Sequence, residues 1–285
     1  MKVLVTGGAG FLGSNLCKRL VADGHDVTCI DSFLTGTHKV DGVVYIGADI
    51  ASLTDFPEAD WIFHLASPAA PGDISALKGA CAQANIDGTQ NLVDFANKTK
   101  AKLLFTSTIK VYGYCPRVGE YITSKVTGEL ITRFHHKVAR LANCYGPGMR
   151  VDDSRVIPTF ITRALRGEEL SLWNGGNQTD TFLYVDDAVE GLVRFMESGA
   201  KDVIEFGYPK EIKIVDLANL IISLTGSTSS LRFDERVHVE AACHRRARLD
   251  RANKELGWSP TTTMEQGLIK TINYFKESLD VGKAA

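Results

Sequence analysis

Short apolar runs alternate with longer stretches of helical period along the first half of this 285-residue chain. Lys2–Val5 reads as a strand, Phe11–Ala22 as an amphipathic helix, and Asp26–Asp31 as a strand ending in an acid. Strands follow at Gly42–Ile46 and Asp60–Leu65, a long helical pattern covers Ser75–Asn97, and Lys102–Thr106 is a fifth strand. A helix over Glu120–His135 precedes a sixth strand at Val138–Ala142. Continuous apolar strands separated by helices predict a doubly wound parallel α/β sheet. Such sheets take ligands at the carboxyl ends of their strands.

The second half is less regular. Helical patterns cover Asp153–Gly167, with Pro158 in its early part, then Asp186–Met196, Val215–Leu224, Asp250–Leu256 and Met264–Lys276. Strands are predicted at Leu170–Trp173, Phe182–Val185 and Val203–Phe206. This part reads as a smaller α/β lobe laid across the strand ends of the first.

Between the first strand and first helix stands Thr6-Gly7-Gly8-Ala9-Gly10-Phe11-Leu12-Gly13. Its glycines fit both G-x-G-x-x-G and G-x-x-G-x-x-G spacings. Glycine permits the tight turn, clears the path of a pyrophosphate and lets helix and strand pack closely, while the helix N-terminus favours an anion. Asp31 lies at the end of the second strand, where a carboxylate accepts hydrogen bonds from the ribose of an adenosine and repels a 2′-phosphate. Together they predict a Rossmann-type domain that binds NAD in preference to NADP. Tyr121 and Lys125, four apart on one helix face, follow a hydroxyl-rich strand end, Thr106-Ser107-Thr108. An ammonium beside a phenol favours the phenolate, which can take a proton from a sugar hydroxyl while hydride leaves its carbon.

Composition restricts the alternatives. Hydrophobic residues at 44% and a net charge of −2 describe an ordinary globular protein and give no reason to expect nucleic acid or an anionic membrane as partner. No apolar run reaches the roughly 18 residues of a spanning helix, and Met1-Lys2 leads directly into the first strand, so no signal peptide is expected. The six cysteines are scattered, without metal-ligand spacing. No metal site is expected, and a reducing, cytoplasmic setting is.

The order Thr6–Gly13, Asp31, Leu65-Ala66-Ser67-Pro68, Asn85-Ile86-Asp87-Gly88-Thr89, Thr106–Gly113, Tyr121–Lys125, Arg140–Pro147, Tyr184-Val185-Asp186-Asp187 and Leu256–Pro260 resembles the extended short-chain dehydrogenase/reductases. Within these it resembles the NAD-dependent epimerase/dehydratase family, and its overall pattern is most similar to UDP-glucuronate decarboxylases and UDP-sugar 4-epimerases. The resemblance covers nearly the whole chain. It implies that Tyr121 is the base for oxidation at the sugar C4, that Lys125 holds the nicotinamide ribose, and that Thr108 bonds the reacting oxygen. It places Gly7, Gly10, Phe11, Leu12, Gly13, Asp31, Asp49, Ile50 and Ala66 with Tyr121 and Lys125 around NAD, and Asn143, Arg150, Arg245 and Arg246 around a nucleotide-sugar substrate, UDP-linked by analogy. It further implies a homodimer through the helices Ser75–Asn97 and Glu120–His135. Residues 1–147 with 178–198 would bind NAD, and 148–177 with 199–285 would form the substrate lobe.

Three departures stand out. Lys110 occupies the place of an acid that follows the catalytic Thr in dehydratases and decarboxylases of this family. Only seven residues separate Gly113 from Tyr121, fewer than is usual. Asp180 replaces the arginine of a Gln-Thr-Arg motif, which leaves Arg245, Arg246 and Arg248 as candidate pyrophosphate clamps. Simple 4-epimerisation then needs the fewest added groups. Decarboxylation of a UDP-uronate, dehydration or reduction, and a degenerate NAD-binding protein are the alternatives.

Overall fold

A computed structural model describes residues 1–77, 79–112, 119–234 and 246–281. In chain order the strands are β1 (Lys2–Thr6), β2 (Asp26–Asp31), β3 (Val43–Gly47), β4 (Trp61–His64), β5 (Lys102–Thr108), β6 (Lys137–Leu141), β7 (Asn143–Tyr145), β8 (Leu170–Trp173), β9 (Thr179–Asp180), β10 (Phe182–Tyr184), β11 (Asp202–Phe206), β12 (Ile212–Lys213) and β13 (Leu231–Asp234). The α-helices are α1 (Phe11–Ala22), α2 (Pro71–Ala76), α3 (Ala80–Gln83), α4 (Thr89–Thr99), α5 (Glu120–Thr132), α6 (Val156–Leu165), α7 (Val185–Glu197), α8 (Ile214–Thr225), α9 (Asp250–Leu256) and α10 (Met264–Val281).

Seven strands form one parallel sheet in the order β11-β6-β5-β4-β1-β2-β3. The chain winds outward from β1 through β2 to β3, then returns to the other side of β1 at β4. That reversal opens a crevice beyond the carboxyl ends of β1 and β4, where doubly wound sheets bind ligands. Alternation along the strands divides the interior in two. Val3 and Val5 join Leu16 and Leu20 of α1 in one core, while Leu4 joins Ile62, Leu92, Ala96 and Phe105 in the other. The remaining strands pair two by two, β7 with β10, β9 with β12 and β8 with β13, and α6, α8 and α10 pack beside them. No helix of the described residues is long and apolar enough to cross a membrane.

Several elements depart from the pattern-based reading. Val203–Phe206, expected in the smaller lobe, lies in β11, which pairs with β6 as the seventh strand of the central sheet. Its core positions Ile204 and Phe206 are fully buried, as a parallel strand covered on both faces requires. The single helix expected over Ser75–Asn97 is three pieces. The chain leaves helical geometry at Leu77 and at Gly79, where φ is 83°, and a π-turn spans Ala84–Gly88 between α3 and α4. Apolar periodicity persists through such breaks, so it cannot reveal them. The helix expected from Asp153 begins at Val156, because the Asp153 carboxylate accepts the Arg155 backbone N–H at 2.9 Å and holds the chain in a turn. Pro158 then falls in the first helical turn, where its missing N–H costs nothing. The helix expected to reach His135 ends as α5 at Thr132, and α10 runs beyond Lys276 to Val281.

The tail is bound to the sheet by polar as well as apolar contacts. Trp258 is 1% exposed, packs edge-on against Phe206 at 5.0 Å, and donates its indole N–H to the Asp187 carbonyl at 3.0 Å. The Asp187 carboxylate accepts the backbone N–H groups of Thr261 and Thr262, each at 3.0 Å. Truncation of Trp258 to alanine should cost about 3–5 kcal/mol, read as a lower midpoint in urea unfolding. An unchanged midpoint would show that α9 and the tail contribute nothing to the cooperative core.

Candidate active site

At the switch point the backbone of Gly7 runs against that of Ala66. A Cβ on Gly7, at φ +76°, would lie 2.7 Å from the Ala66 Cα and N. A Cβ on Gly13 would lie 2.1 Å from the Gly7 carbonyl oxygen. These positions exclude side chains, so the turn presents bare backbone and the amino end of α1 to the crevice. Asp31 closes the turn from β2. Its Oδ2 accepts the Ala9 N–H at 2.9 Å and its Oδ1 the Phe33 N–H at 2.8 Å. Burial raises the Asp31 carboxyl above its ordinary range, and those two bonds oppose the shift. Each carboxylate oxygen keeps acceptor capacity for a hydroxyl.

The crevice opens into a cleft of about 270 Å³. Every cofactor-binding residue expected from sequence lines it, including Gly10, Phe11, Leu12, Asp49 and Ile50. So do Thr108, Tyr121, Lys125, Asn143 and Arg150. The residues present therefore fit a dinucleotide at one end and a second ligand at the other. Among the described residues no group of three or more His, Cys, Asp or Glu is placed to hold a metal ion.

Thr108 ends β5, and its Oγ1 accepts the Lys110 backbone N–H at 3.2 Å. Tyr121 and Lys125 project from the first turns of α5. Lys125 is 3% exposed, donates to the Thr106 carbonyl at 2.9 Å and lies 4.7 Å from the Phe105 ring centre and 6.0 Å from that of Tyr121. Burial pushes its ammonium down to about 8, opposed by Cys81 and Glu129. The sequence reading expected this ammonium to lower the Tyr121 phenol, but burial raises the phenol instead, with the Cys81 and Cys144 thiols adding to the rise. The cation that opposes the rise is Arg155.

Arg155 lines the cleft and went unnoticed in the sequence. Its guanidinium is held by Asp153 at 2.5 and 3.0 Å and sits 5.6 Å from the Phe11 ring centre. The acid two positions before it was the available signal. Cys81 and Cys144, read from the sequence only as scattered thiols, were not expected beside Tyr121, since isolated thiols carry no spacing signal. Ser107 lines the cleft with a buried Oγ that has no hydrogen-bond partner among the described residues.

The expected substrate residues are not all brought together. Arg150 bonds Asp73 at 2.8 Å, Asp152 at 3.1 Å and the Thr35 carbonyl at 3.0 Å, and so ties α2 and the segment after β2 together. Asn143 donates to Asp180 at 2.7 Å, so Asp180 orients a cleft residue from behind. Arg246 is exposed and outside the cleft lining, as is Arg248, whose guanidinium lies 5.0 Å from the Tyr112 ring centre. Arg245 and most of the short 114–120 loop lie outside the described residues.

Comparison with known proteins agrees with this geometry. Residues 3–207 match the model of the NAD dependent epimerase/dehydratase family. The chain belongs to the NAD-dependent epimerase/dehydratase family. As a member it is an enzyme that modifies nucleotide sugars with NAD as cofactor. UDP-glucuronic acid decarboxylase 1 of Xenopus tropicalis is 36% identical over 98% of this chain and 73% of its own length. The UDP-glucose 4-epimerase of Thermotoga maritima, solved with UDP-glucose, superimposes with a TM-score of 0.88 at 27% identity, covering 98% of this chain and 100% of that one. The UDP-glucuronic acid 4-epimerase of Bacillus cereus, solved with UDP-glucuronic acid and NAD, gives 0.86 at 26% identity with the same coverage.

For this epimerase/dehydratase family member, Asp31→Ala should weaken NAD roughly tenfold to a hundredfold, the loss of bonds to a charged acceptor. Isothermal titration with NAD and NADP reads it, and unaltered NAD affinity would remove Asp31 from the cofactor site.

Proposed function

We propose that this protein is a sugar-nucleotide 4-epimerase acting on a UDP-linked sugar. The observation that carries the reading is that Thr108, Tyr121 and Lys125 share one cleft with the dinucleotide cradle. NAD, when bound, would supply the hydride chemistry at C4. Tyr121, as phenolate, takes the C4 hydroxyl proton, and the C4–H leaves as hydride to give a ketone. Thr108 donates to the reacting oxygen. Arg155 is the cation that opposes burial at the phenol, and Lys125, held by the Thr106 carbonyl, stands ready for the nicotinamide ribose. Rotation of the keto sugar would expose its opposite face to reduction, and Tyr121 would return the proton to the C4 oxygen, leaving C4 inverted. Residues 1–147 with 178–198 hold NAD in this reading. Residues 148–177 with 199–285, apart from β11, cover the sugar, with Asn143 and Arg150 at its edge.

Decarboxylation of a UDP-uronate is the second reading, favoured by the 36% identity to a UDP-glucuronic acid decarboxylase. A C4 ketone lies β to the C6 carboxylate and provides the electron sink for loss of carbon dioxide. Lys110 counts against it, because an ammonium stabilises a carboxylate and opposes its departure. Proton NMR of UDP-glucose, UDP-glucuronate and their N-acetyl relatives with enzyme and NAD should show the C4-inverted sugar with every carbon retained. A UDP-pentose would establish the second reading, and no conversion of any sugar nucleotide would sink both. Tyr121→Phe should lower kcat roughly a hundredfold or more, with unchanged NAD binding by titration.

The same reading includes a homodimer in the cytoplasm. On α5 and just after it, Val126, Leu130 and Phe134 form a stripe four residues apart, 37%, 50% and 72% exposed. A second copy of the same helix face would cover it, as in an isologous dimer. Cys17, Cys29, Cys81 and Cys144 are free thiols, as suits a reducing compartment. Leu130→Arg should convert a dimer to a monomer in light scattering, and a dimer that survives it would place the interface elsewhere.

A further inference from the structure

A line of buried side chains crosses the protein from the glycine turn to the catalytic helix. Thr6 Oγ1 lies 2.8 Å from His64 Nδ1, and His64 Nε2 lies 3.0 Å from Thr89 Oγ1. Thr89 donates to the Asn85 carbonyl at 2.7 Å, Asn85 Nδ2 donates to Ser124 Oγ at 3.0 Å, and Ser124 donates to the Tyr121 carbonyl at 2.9 Å. Thr6, His64, Asn85 and Thr89 are fully buried and Ser124 is 1% exposed.

The directions of these bonds are fixed by counting protons. The Thr89 hydroxyl has one proton, and a carbonyl takes it, so Thr89 Oγ1 can only accept from the imidazole. His64 Nε2 therefore carries the ring proton. Nδ1 is bare and accepts from the Thr6 hydroxyl. Ser124 likewise spends its proton on Tyr121 and accepts from Asn85. Every bond points from β1 toward the tyrosine. The two ends matter for chemistry. Thr6 immediately precedes Gly7, and the last acceptor is the backbone of Tyr121. The His64 carbonyl also accepts the Thr106 hydroxyl at 3.0 Å, and the Thr106 carbonyl holds Lys125. One histidine thus touches the supports of the glycine turn, of Tyr121 and of Lys125.

We infer that His64, as the neutral Nε2–H tautomer, is a positioning residue that sets the register of Tyr121 and Lys125 against the cofactor turn. The surroundings keep it neutral. Burial, then the Lys125 ammonium, push the imidazole down to about 3, opposed only by the Ala84 carbonyl, and the Phe105 ring covers it at 5.3 Å. From within the π-turn at Ala84–Gly88, Asn85 offers its carbonyl to Thr89 and its side-chain amide to Ser124.

Two measurements test this. Nitrogen-edited NMR of the wild-type protein with saturating NAD should show His64 protonated at Nε2 and bare at Nδ1, unchanged from about pH 8 to about pH 5. A proton on Nδ1, or titration within that range, would overturn the inference. Thr89→Val cuts the line without changing shape, while Thr89→Ser preserves the hydroxyl. The valine variant should lose roughly tenfold to a hundredfold in kcat, the scale of a misplaced catalytic group, with KM nearly unchanged, and the serine variant should recover most of it. A valine variant with wild-type kcat, or a serine variant equally impaired, would also overturn it. The kinetic arm rests on the sugar-nucleotide reading. If the wild-type enzyme converts no sugar nucleotide, that reading fails while the NMR arm still decides this one, as it does if Thr89→Val does not fold.

Discussion

The backbone of Gly7 lies against that of Ala66 with no space for a side chain between them, and the site's geometry depends on that contact. It joins the ends of β1 and β4 at the one place where the winding order of the sheet reverses. Because the turn is flush with its neighbours, its amide groups and the amino end of α1 face the cleft without cover. Asp31 is drawn to the turn by the Ala9 and Phe33 N–H groups and ends on the same side. The parallel sheet then carries Thr108 to the cleft at the end of β5, and α5 brings Tyr121 and Lys125 over it. A single Cβ at Gly7 would separate two strand ends and shift every group that depends on their spacing.

The cleft solves an electrostatic difficulty that its own burial creates. A desolvated phenol resists ionisation and a desolvated amine resists protonation, so the Tyr121–Lys125 pair starts from an unfavourable position for proton transfer. Lys125 is supported by a carbonyl and an aromatic face, and Arg155 supplies the positive charge that Lys125 cannot deliver to Tyr121 alone. The other arginine of the cleft, Arg150, is paired with Asp73. An epimerase needs little more than this, because its only proton acceptor is the one that later returns the proton.

The parts readable from the sequence are those with strong local periodicity or obligatory residue types. β2, α1, β8 and α9 have the bounds that their patterns indicate, and the glycine turn, Asp31, Thr108, Tyr121 and Lys125 converge as expected. Long-range pairing was not readable. Nothing in Asp202–Phe206 distinguishes a seventh sheet strand from a strand of the smaller lobe, because the distinction lies in its pairing with β6. The sign of the Tyr121 shift was not readable either. Spacing on a helix shows that two groups share a face, but burial and the direction in which Lys125 turns decide which of their interactions dominates.

The segment from Pro71 to Thr99 is where reading and structure diverge most, and the divergence has a functional sense. A continuous helix would satisfy each backbone carbonyl internally and would keep Asn85 and Thr89 in fixed register. Breaking it at Gly79 and widening one turn at Ala84–Gly88 loosens that register, at the cost of weaker local helix geometry. Within this turn the Asn85 amide donates to Ser124 while its carbonyl takes the Thr89 hydroxyl, as threonines do in the regular helices here, and Asn85 joins the catalytic helix to the strand beneath it. Asn85 Oδ1, buried and without a partner among the described residues, is a second cost borne at that point. A protein accepts an unsatisfied polar atom and an irregular turn in its interior only where the arrangement is over-determined by its neighbours. Here those neighbours are the elements that hold Tyr121, Lys125 and the glycine turn.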